Sequence, residues 1–317
     1  MDRIRSQFTF LPAALLLLLC SIPATAQDAP GEYGEVLKFL ARGGDYRQSV
    51  LKLNVPRNDL RVTIAGRAAP TPFGFGGWLA MTKGEGGAEV MMGDLVLLQE
   101  EVNPVMSALL SQGIEVTALH NHFFWEEPRM YYMHIHGHGR AMELARAVKP
   151  ALDLIGHVVP AIPQNTSPLP ATAQTTLDTA AIAKIAGHAG EQIGPVYKIT
   201  LGRDDIGLKE MGATINARMG LNTWAAFFGT DQDAMVAGDV AMLESEVPAV
   251  LRALRQHGLD VVAIHHHMTG ARPMIIFLHY WGTGPAQKLA AGFKAAVDAL
   301  AKSSASGEMA PKPCPGA

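Results

Sequence analysis

Cysteine is scarce in this sequence, with only Cys20 and Cys314 among 317 residues. A framework of disulfides is therefore excluded, and each core has to be stable through packing, with or without the help of a metal. Neither sign of charge dominates, because the formal net charge is −3 and the sequence pI is about 6.5. This balance argues against a nucleic-acid partner and against an acidic disordered tail.

The short motifs of several enzyme classes are also missing. The chain contains no Gly-x-Gly-x-x-Gly, no phosphate-binding loop, no His-Glu-x-x-His and no nucleophile elbow. Their absence disfavours nucleotide-dependent enzymes, zincin proteases and α/β-hydrolases.

The N-terminal segment has the pattern of an export signal. Arg3 and Arg5 precede an apolar run over residues 8–20, which is short for a membrane span, and small residues follow at 24–26. We predict a signal peptide over residues 1–26, cleavage before Gln27, and a periplasmic or secreted protein with no transmembrane span. A lipid anchor on Cys20 is less favoured, because bulky Leu19 stands where a lipoprotein signal has a small residue.

The rest of the chain contains one segment written twice. Residues 93–139 and 238–284 are identical at 17 of 47 positions with a constant offset of 145, and matches continue upstream at an offset of 146. Units of this length indicate duplicated domains rather than a solenoid. We predict repeat domains over 31–155 and 176–302, a proline-rich linker over 156–175 and a flexible tail over 303–317. The upstream matches are Lys52/Lys198, Arg57/Arg203, Asp59/Asp205, Gly66/Gly212, Gly74/Gly220 and Trp78/Trp224.

Each unit alternates strand-like and helix-like patterns. In the first unit, residues 50–53, 60–64, 90–98, 114–123 and 130–136 favour strands, whereas 100–112 and 141–152 favour helices. The second unit repeats this pattern and ends in a helix near 285–301. The order β-α-β-β-α predicts an α+β fold of two tandem homologous units, each an antiparallel sheet with helices packed on one face.

Histidine is concentrated in the duplicated segment, whose two copies hold ten of the twelve in the chain. Residues two apart share a face of a strand, and a hairpin centred near residue 127 would place His120 opposite His134. Four imidazoles would then line one patch at a spacing that suits a single ion. The predicted metal ligands of the first unit are His120, His122, His134 and His136.

The second unit keeps three of these histidines and has Trp281 in place of the fourth. Three histidines are the protein ligands of a catalytic zinc site with an open position. The difference between the units has two interpretations: one site is functional and the other has decayed, or the repeats share one site. Structural or non-metal use of the histidines remains an alternative. The second set of predicted ligands is His265, His267 and His279.

Carboxylates and arginines recur at the same spacing. Glu101 and Glu246 are candidate general bases, and Asp94 and Asp239 are candidate ligands or hydrogen-bond partners of ligands. Glu101 also falls in the first turn of a predicted helix, where negative charge is stabilising for structural reasons alone. Repeated Arg57 and Arg203 could hold an anionic substrate or form strand-end pairs with Asp59 and Asp205; the repeated tryptophans are expected in the core.

Three strings carry a family resemblance: GDLVL at 93–97, VTALHNH at 116–122 and YMHIHG at 132–137. Together they resemble the LppY/LpqO family of exported bacterial proteins, which are built around a domain of unknown function. The resemblance covers both repeats, although the second copy reads AIHHH at 263–267. It implies export and a duplicated architecture, and it brings no activity or catalytic residues with it.

These observations favour an exported protein with a histidine-lined site for Zn²⁺ or another divalent transition metal, with copper as an alternative. If the protein is an enzyme, the expected reaction is metal-assisted hydrolysis, with Glu101 or Glu246 accepting a proton from water. The alternative is a non-catalytic module that binds metal or a cell-envelope ligand. The expected partner is a small molecule or an envelope component, and the sequence leaves the oligomeric state open.

Overall fold

The computed structural model describes residues 29–157 and 175–304. The predicted signal peptide, nearly all of the predicted linker, both cysteines and the tail from residue 305 lie outside these described residues. None of the helices in the described part of the chain is long and apolar enough to cross a membrane.

The first half forms a six-stranded antiparallel sheet in the order β1-β2-β5-β6-β9-β7, and a smaller sheet in the order β4-β3-β8. The helices are α1 (Gly31–Leu40), α2 (Gln99–Ser111) and α3 (Ala141–Leu152). The strands are β1 (Gly44–Arg47), β2 (Val50–Pro56), β3 (Val62–Ile64), β4 (Arg67–Ala69), β5 (Gly76–Lys83), β6 (Glu89–Leu98), β7 (Glu115–His120), β8 (Glu126–Glu127) and β9 (Met130–Gly139).

The second half repeats the large sheet in the order β10-β11-β14-β15-β17-β16, and β12 and β13 pair separately. The helices are α4 (Thr179–Ala186), α5 (Val247–Gln256) and α6 (Ala286–Ser304). The strands are β10 (Glu191–Ile193), β11 (Val196–Gly202), β12 (Lys209–Glu210), β13 (Ala213–Thr214), β14 (Asn222–Gly229), β15 (Ala234–Leu243), β16 (Asp260–His265) and β17 (Ile275–Gly284).

The expected α+β class, with two tandem units of antiparallel sheet and helices, is therefore confirmed, but each unit is larger than predicted. The structure adds α1 and α4 at the start of the units, an edge strand at the far side of each sheet, and the inner strands β5 and β14, which the sequence pattern did not predict. Helix α1 has ten residues and includes Gly31 and Gly34, which weaken a helical pattern in the sequence. The five-element order describes only the part of each unit that carries the histidines.

The helices cover one face of each sheet. In the first half, the apolar faces of α1, α2 and α3 pack on alternate residues of the strands, such as Leu53, Leu79 and Ile135. Helix α2 buries Val102, Val105 and Leu109 at spacings of three and four, and it stops before Gly113, whose φ is +75°. The second half has an equivalent core of its own.

The uncovered faces of the two sheets pack against each other. Two apolar clusters mix residues of both halves: Phe73 and Phe75 pack with Phe228, and Val90 and Met92 pack with residues around 208–221. All ten residues of β6 are consequently buried, because its two faces lie against different partners. The fold is a four-layer sandwich, with helices outside and a sheet-to-sheet interface in the middle.

Candidate metal centre

The histidine strands form antiparallel pairs with a register two residues away from the predicted one. His120 lies opposite Tyr132 rather than His134, whose partner on β7 is Ala118, after a register shift between Val116 and Ala118. The connecting segment contains β8, which pairs with β3 and makes the loop longer than a simple hairpin. Because a shift of two residues preserves the face, the histidines still point to the same side of the sheet.

That side is the interface between the halves, where six histidines form one group, hereafter the histidine cluster. Three ring pairs cross from one half to the other with centroids 3.6–3.8 Å apart: His120 with His265, His122 with His279, and His134 with His267. When each residue is replaced by its equivalent in the other repeat, the pair His122–His279 becomes the pair His267–His134. The pair His120–His265 becomes itself. The repeats are thus related by a pseudo-two-fold axis, and of the two interpretations left open by the sequence the geometry corresponds to one shared site.

The ring nitrogens of the cluster are buried, and most lack a hydrogen-bond partner. Both nitrogens of four rings and Nε2 of two more, ten atoms in all, are unpaired among the described residues. The four rings are those of His120, His122, His265 and His267, and the two Nε2 atoms belong to His134 and His279. Five of the six side chains are buried, and His265 is half-buried.

Burial sets the charge of the cluster. It lowers the pKa of His120 to about 3 and lowers the pKa of His122 well below the ordinary value, with repulsion from neighbouring imidazoles, His279 first among them, adding to the effect. The other four members shift in the same direction for the same primary reason. The imidazoles are therefore neutral at pH 7, the form in which histidine binds a metal.

Two members are oriented by the backbone as metal-binding histidines commonly are. His134 is hydrogen-bonded to the backbone of Gly93, and His279 to that of Gly238, in each case raising the ring pKa slightly against the effect of burial. A hydrogen bond that raises the pKa of a histidine is one in which the ring N–H donates to a carbonyl oxygen. In both rings Nε2 is the nitrogen without a hydrogen-bond partner in the described part of the chain. Such a bond fixes the tautomer and leaves the other nitrogen free as a ligand.

The nitrogen atoms converge closely enough for coordination in two sets. One set contains His120, His265 and His279, and the other contains His134, His265 and His267, with the ligand atoms of each set within 4.8 Å of one another. His265 belongs to both. Since the sets share a ligand, they cannot fill independently, and the arrangement favours one ion per chain.

Two aspartates accompany the cluster. Asp94 lies opposite His134 on the neighbouring strand, and Asp239 lies opposite His279. The Oδ2 atom of Asp239 is 3.8 Å from Nε2 of His267 and 3.9 Å from Nε2 of His279. Burial raises the pKa of Asp94 to about 7 and raises the pKa of Asp239 well above its usual range. The sequence proposed these carboxylates as partners of the ligands, and the structure brings them to the histidines.

His136 lies outside the cluster. It shares a strand face with His134, but its Nε2 atom lies 3.0 Å from a carboxylate oxygen of Glu210 in the second half, and no ring contact joins it to the six histidines in the described residues. The equivalent Trp281 packs in the apolar interface with Phe228 and Met235. The structure therefore brings together six of the seven predicted ligands and not the seventh.

The predicted general bases occupy a different place. Glu101 is fully buried and pairs with Arg57, whose Nη1 donates to its Oε2 at 2.6 Å, and it also accepts the backbone N–H of Leu98. Its equivalent Glu246 pairs in the same way with Arg203. No hydrogen bond or ion pair joins either glutamate to a histidine within the described ranges. These residues tie the start of α2 or α5 to the strands, which is the structural alternative given by the sequence.

The comparisons with solved structures return bacterial microcompartment shell proteins at very low similarity. The trimeric shell protein PduB is 11% identical over 81% of this chain and 90% of its own, with a TM-score of 0.21. EtuB from Clostridium kluyveri is 11% identical over 82% and 90%, with a TM-score of 0.20. The fused permuted hexameric shell protein MSM0275 is 12% identical over 68% and 83%, with a TM-score of 0.18. Scores at this level carry no argument about this chain.

Among curated proteins there is no match. A family model matches twice, over residues 35–154 and 180–299, in agreement with the internal duplication. The two matches together span most of the chain. The protein therefore belongs to the family described as Domain of Unknown Function (DUF1259), of which it carries two tandem copies.

Proposed function

We propose that this protein binds one divalent transition metal ion, Zn²⁺ or a similar ion, with histidines contributed by both repeats. The observation that carries the proposal is the set of ten buried ring nitrogens without hydrogen-bond partners. A buried polar atom left without a partner costs about 1–3 kcal/mol. Ten of them would cost about 10 kcal/mol even at the lower limit, which is as large as the whole stability of a typical domain.

A metal ion removes part of this cost, because it binds the lone pair of one nitrogen on each neutral imidazole that holds it, three in either set. The low pKa of the buried rings also means that few protons would have to leave when the ion binds near neutral pH. Histidine nitrogen suits zinc, copper and nickel, so the donor set selects a class of ion rather than one element. Zinc is the ion we expect, and copper is the alternative.

The proposal is tested by metal analysis of the purified chain beginning at residue 27, after exposure to zinc or copper and extensive dialysis. We expect about one equivalent per chain, and loss of the ion when His120 and His265 are both replaced by alanine. Replacing His136 by alanine is the matched control and should leave the metal content unchanged. Less than about a tenth of an equivalent in the unaltered protein would overturn the proposal and leave the histidines a structural role.

Metal-assisted hydrolysis is a second candidate, favoured by the three-histidine sets and by Asp239 beside them. Three protein ligands leave a position at which a metal can activate water. Glu101 and Glu246, the bases proposed from sequence, are held by arginines and do not contact the cluster. Hydrolysis of ester or phosphoester substrates by zinc-loaded protein, abolished by a chelator and by removal of His265, would support this function; activity that survives both would exclude it.

We also propose that the protein is exported and that it belongs with the LppY/LpqO proteins that its histidine motifs resemble. The basic and apolar N-terminal pattern supports export. Fractionation of cells that express the full chain should find a processed protein outside the cytoplasm. An unprocessed cytoplasmic protein would exclude export.

A further inference from the structure

Two lysines, one from each half, lie on the same sheet faces as the histidine cluster. Lys52 is in β2 and Lys198 is in β11, at equivalent positions of the repeat. The Nζ atom of Lys52 lies 4.5 Å from the ring centroid of Trp78, and that of Lys198 lies 4.2 Å from the ring centroid of Trp224. A cation over an indole ring is held in place electrostatically, but its charge is not neutralised.

Neither ammonium group has a counter-ion in contact. Within residues 29–157 and 175–300, no hydrogen bond or ion pair involves Lys52 or Lys198. Burial lowers the pKa of each to about 8, and repulsion by Lys198 contributes to the shift of Lys52. The two lysines lie on equivalent strands, three strands away from β9 and β17 in their sheets. Asp94 and Asp239 attract them from the neighbouring strands without contacting them.

A third cation completes the arrangement. Arg218 belongs to a short 3-10 turn, Ala217–Met219, which packs beside Trp78, and it also repels Lys52. Its Nη2 atom donates to the carboxylate of Asp45, but its Nε is buried and has no acceptor. An oxyanion is the kind of partner that would satisfy a buried N–H without an acceptor and ammonium groups without counter-ions.

We propose that Lys52, Lys198 and Arg218 form a binding site for the anionic group, carboxylate or phosphate, of a ligand that extends toward the histidine cluster. The extension toward the cluster rests on the proposed metal site; the anion site does not. In each sheet the strands carry, in order, the lysine, the tryptophan, the aspartate and a histidine. Adjacent strands are about 4.8 Å apart, and Lys52 lies opposite Ala80, two residues along the strand from the row of Trp78, Asp94 and His134. The backbones of Lys52 and His134 are therefore roughly 16 Å apart. The ligand is therefore elongated, with an apolar middle that lies against Trp78 and Trp224.

The anion site is tested by titration of the metal-free chain with inorganic phosphate and, in a separate arm, with acetate, at low ionic strength. Tryptophan fluorescence reports binding, because the lysines lie over Trp78 and Trp224, and calorimetry measures the affinity. We expect saturable binding of at least one of the two anions, with an affinity near the millimolar range. The arm that binds more tightly identifies the class of anion.

Replacing both lysines by methionine should weaken binding at least about tenfold, because two charged contacts are lost while the length of the side chains is kept. Replacing both by arginine should restore it. Lys294, which pairs with Asp298 on α6, provides the control: Lys294→Met removes the same charge and should have no effect. Unchanged affinity in the double methionine variant, or no saturable binding of either anion up to roughly 20 mM, would overturn the proposal.

The experiments on the anion site and those on the metal site have distinguishable outcomes. The methionine variants should keep the metal content of the unaltered chain, because the lysines do not touch the cluster. If the chain takes up no metal on exposure to zinc or copper but binds phosphate, the metal proposal alone is contradicted. If the chain takes up metal but its metal-free form binds neither anion, the anion site alone is contradicted.

Discussion

Replacing His265 by leucine should change the stability and the metal content of this protein in opposite directions. Both ring nitrogens of His265 are buried and unpaired, and its ring stacks on that of His120 at 3.7 Å. Leucine is of similar size and has no polar atoms. At about 1 kcal/mol for each unpaired nitrogen, the metal-free variant should be about 2 kcal/mol more stable than the metal-free parent.

With metal present the order reverses. His265 is the one residue common to both three-histidine sets, so its loss leaves neither set complete. An ion present at a thousandfold excess over its dissociation constant adds about 4 kcal/mol to the free energy of unfolding. The unaltered protein should gain this stabilisation on addition of zinc, and the His265→Leu variant should not.

The assay is urea unfolding of both proteins, each with excess chelator and with excess zinc, together with metal analysis of the dialysed samples. His136→Leu is the matched control, since it removes a buried histidine of the same interface that lies beside Glu210 and outside the cluster. It should keep the response to zinc. The reasoning is refuted if His265→Leu retains the metal, because His265 would then not be a required ligand. It is also refuted if the variant destabilises the metal-free protein, because the nitrogens of His265 would then have partners in the fold.

Three further outcomes follow from the same contacts. Between pH 6.5 and 3 the unfolded chain binds a proton at His120 that the folded, metal-free chain does not, and the pKa values of the other five histidines of the cluster are lowered in the same direction. Stability is therefore complete above about pH 6.5 and falls by at least about 1.4 kcal/mol per pH unit below it, as acid titrations with a chelator should show. Glu101→Gln should destabilise the fold by about 1.5–3 kcal/mol, because buried Arg57 loses one of its two carboxylate partners and keeps Asp59. It should leave the metal content of the folded fraction unchanged; a loss of metal at constant stability would instead support a role for Glu101 at the site. Asp239→Asn should weaken zinc binding at least about tenfold in a chelator competition, and an unchanged affinity would exclude its contribution.

The faces of the histidine strands could be predicted from sequence, and their partners could not. The period of two places His134 and His136 on one side of β9 whatever the register, so the prediction of their face survived a shift of two residues. His122 was predicted on the preceding strand, but β7 ends at His120 and His122 lies in the loop that follows. The predicted number of ligands in the first half differs from what the structure brings together, because only three of its four predicted histidines belong to the cluster. His136 has the correct face, but at the interface it meets Glu210, which lies on a strand of the other half. No local pattern encodes that docking.

The carboxylates show the same limit of prediction from sequence. Glu101 and Asp94 recur with equal regularity, and the sequence offers both as partners of the histidines. The difference lies in long-range contacts: Glu101 meets an arginine 44 residues away, whereas Asp94 lies across one strand pair from His134. The lysines of β2 and β11 were matched positions without an assigned role, and their chemistry appears only when the two sheets face each other.

The histidine cluster lies on the axis between the repeats, and each repeat contributes half of it. The three close ring pairs all join one half to the other, so an isolated repeat would present three histidines on an open apolar sheet face. Two identical domains paired about a two-fold axis would rebuild the cluster, as in an isologous dimer. Fusion in one chain adds the freedom for the two sides to differ. His122 stacks on Tyr132 whereas its equivalent His267 stacks on Phe277, and the Tyr132 hydroxyl donates to the carbonyl of Gly74. The two halves of the cluster therefore have different surroundings, which a symmetric dimer cannot provide.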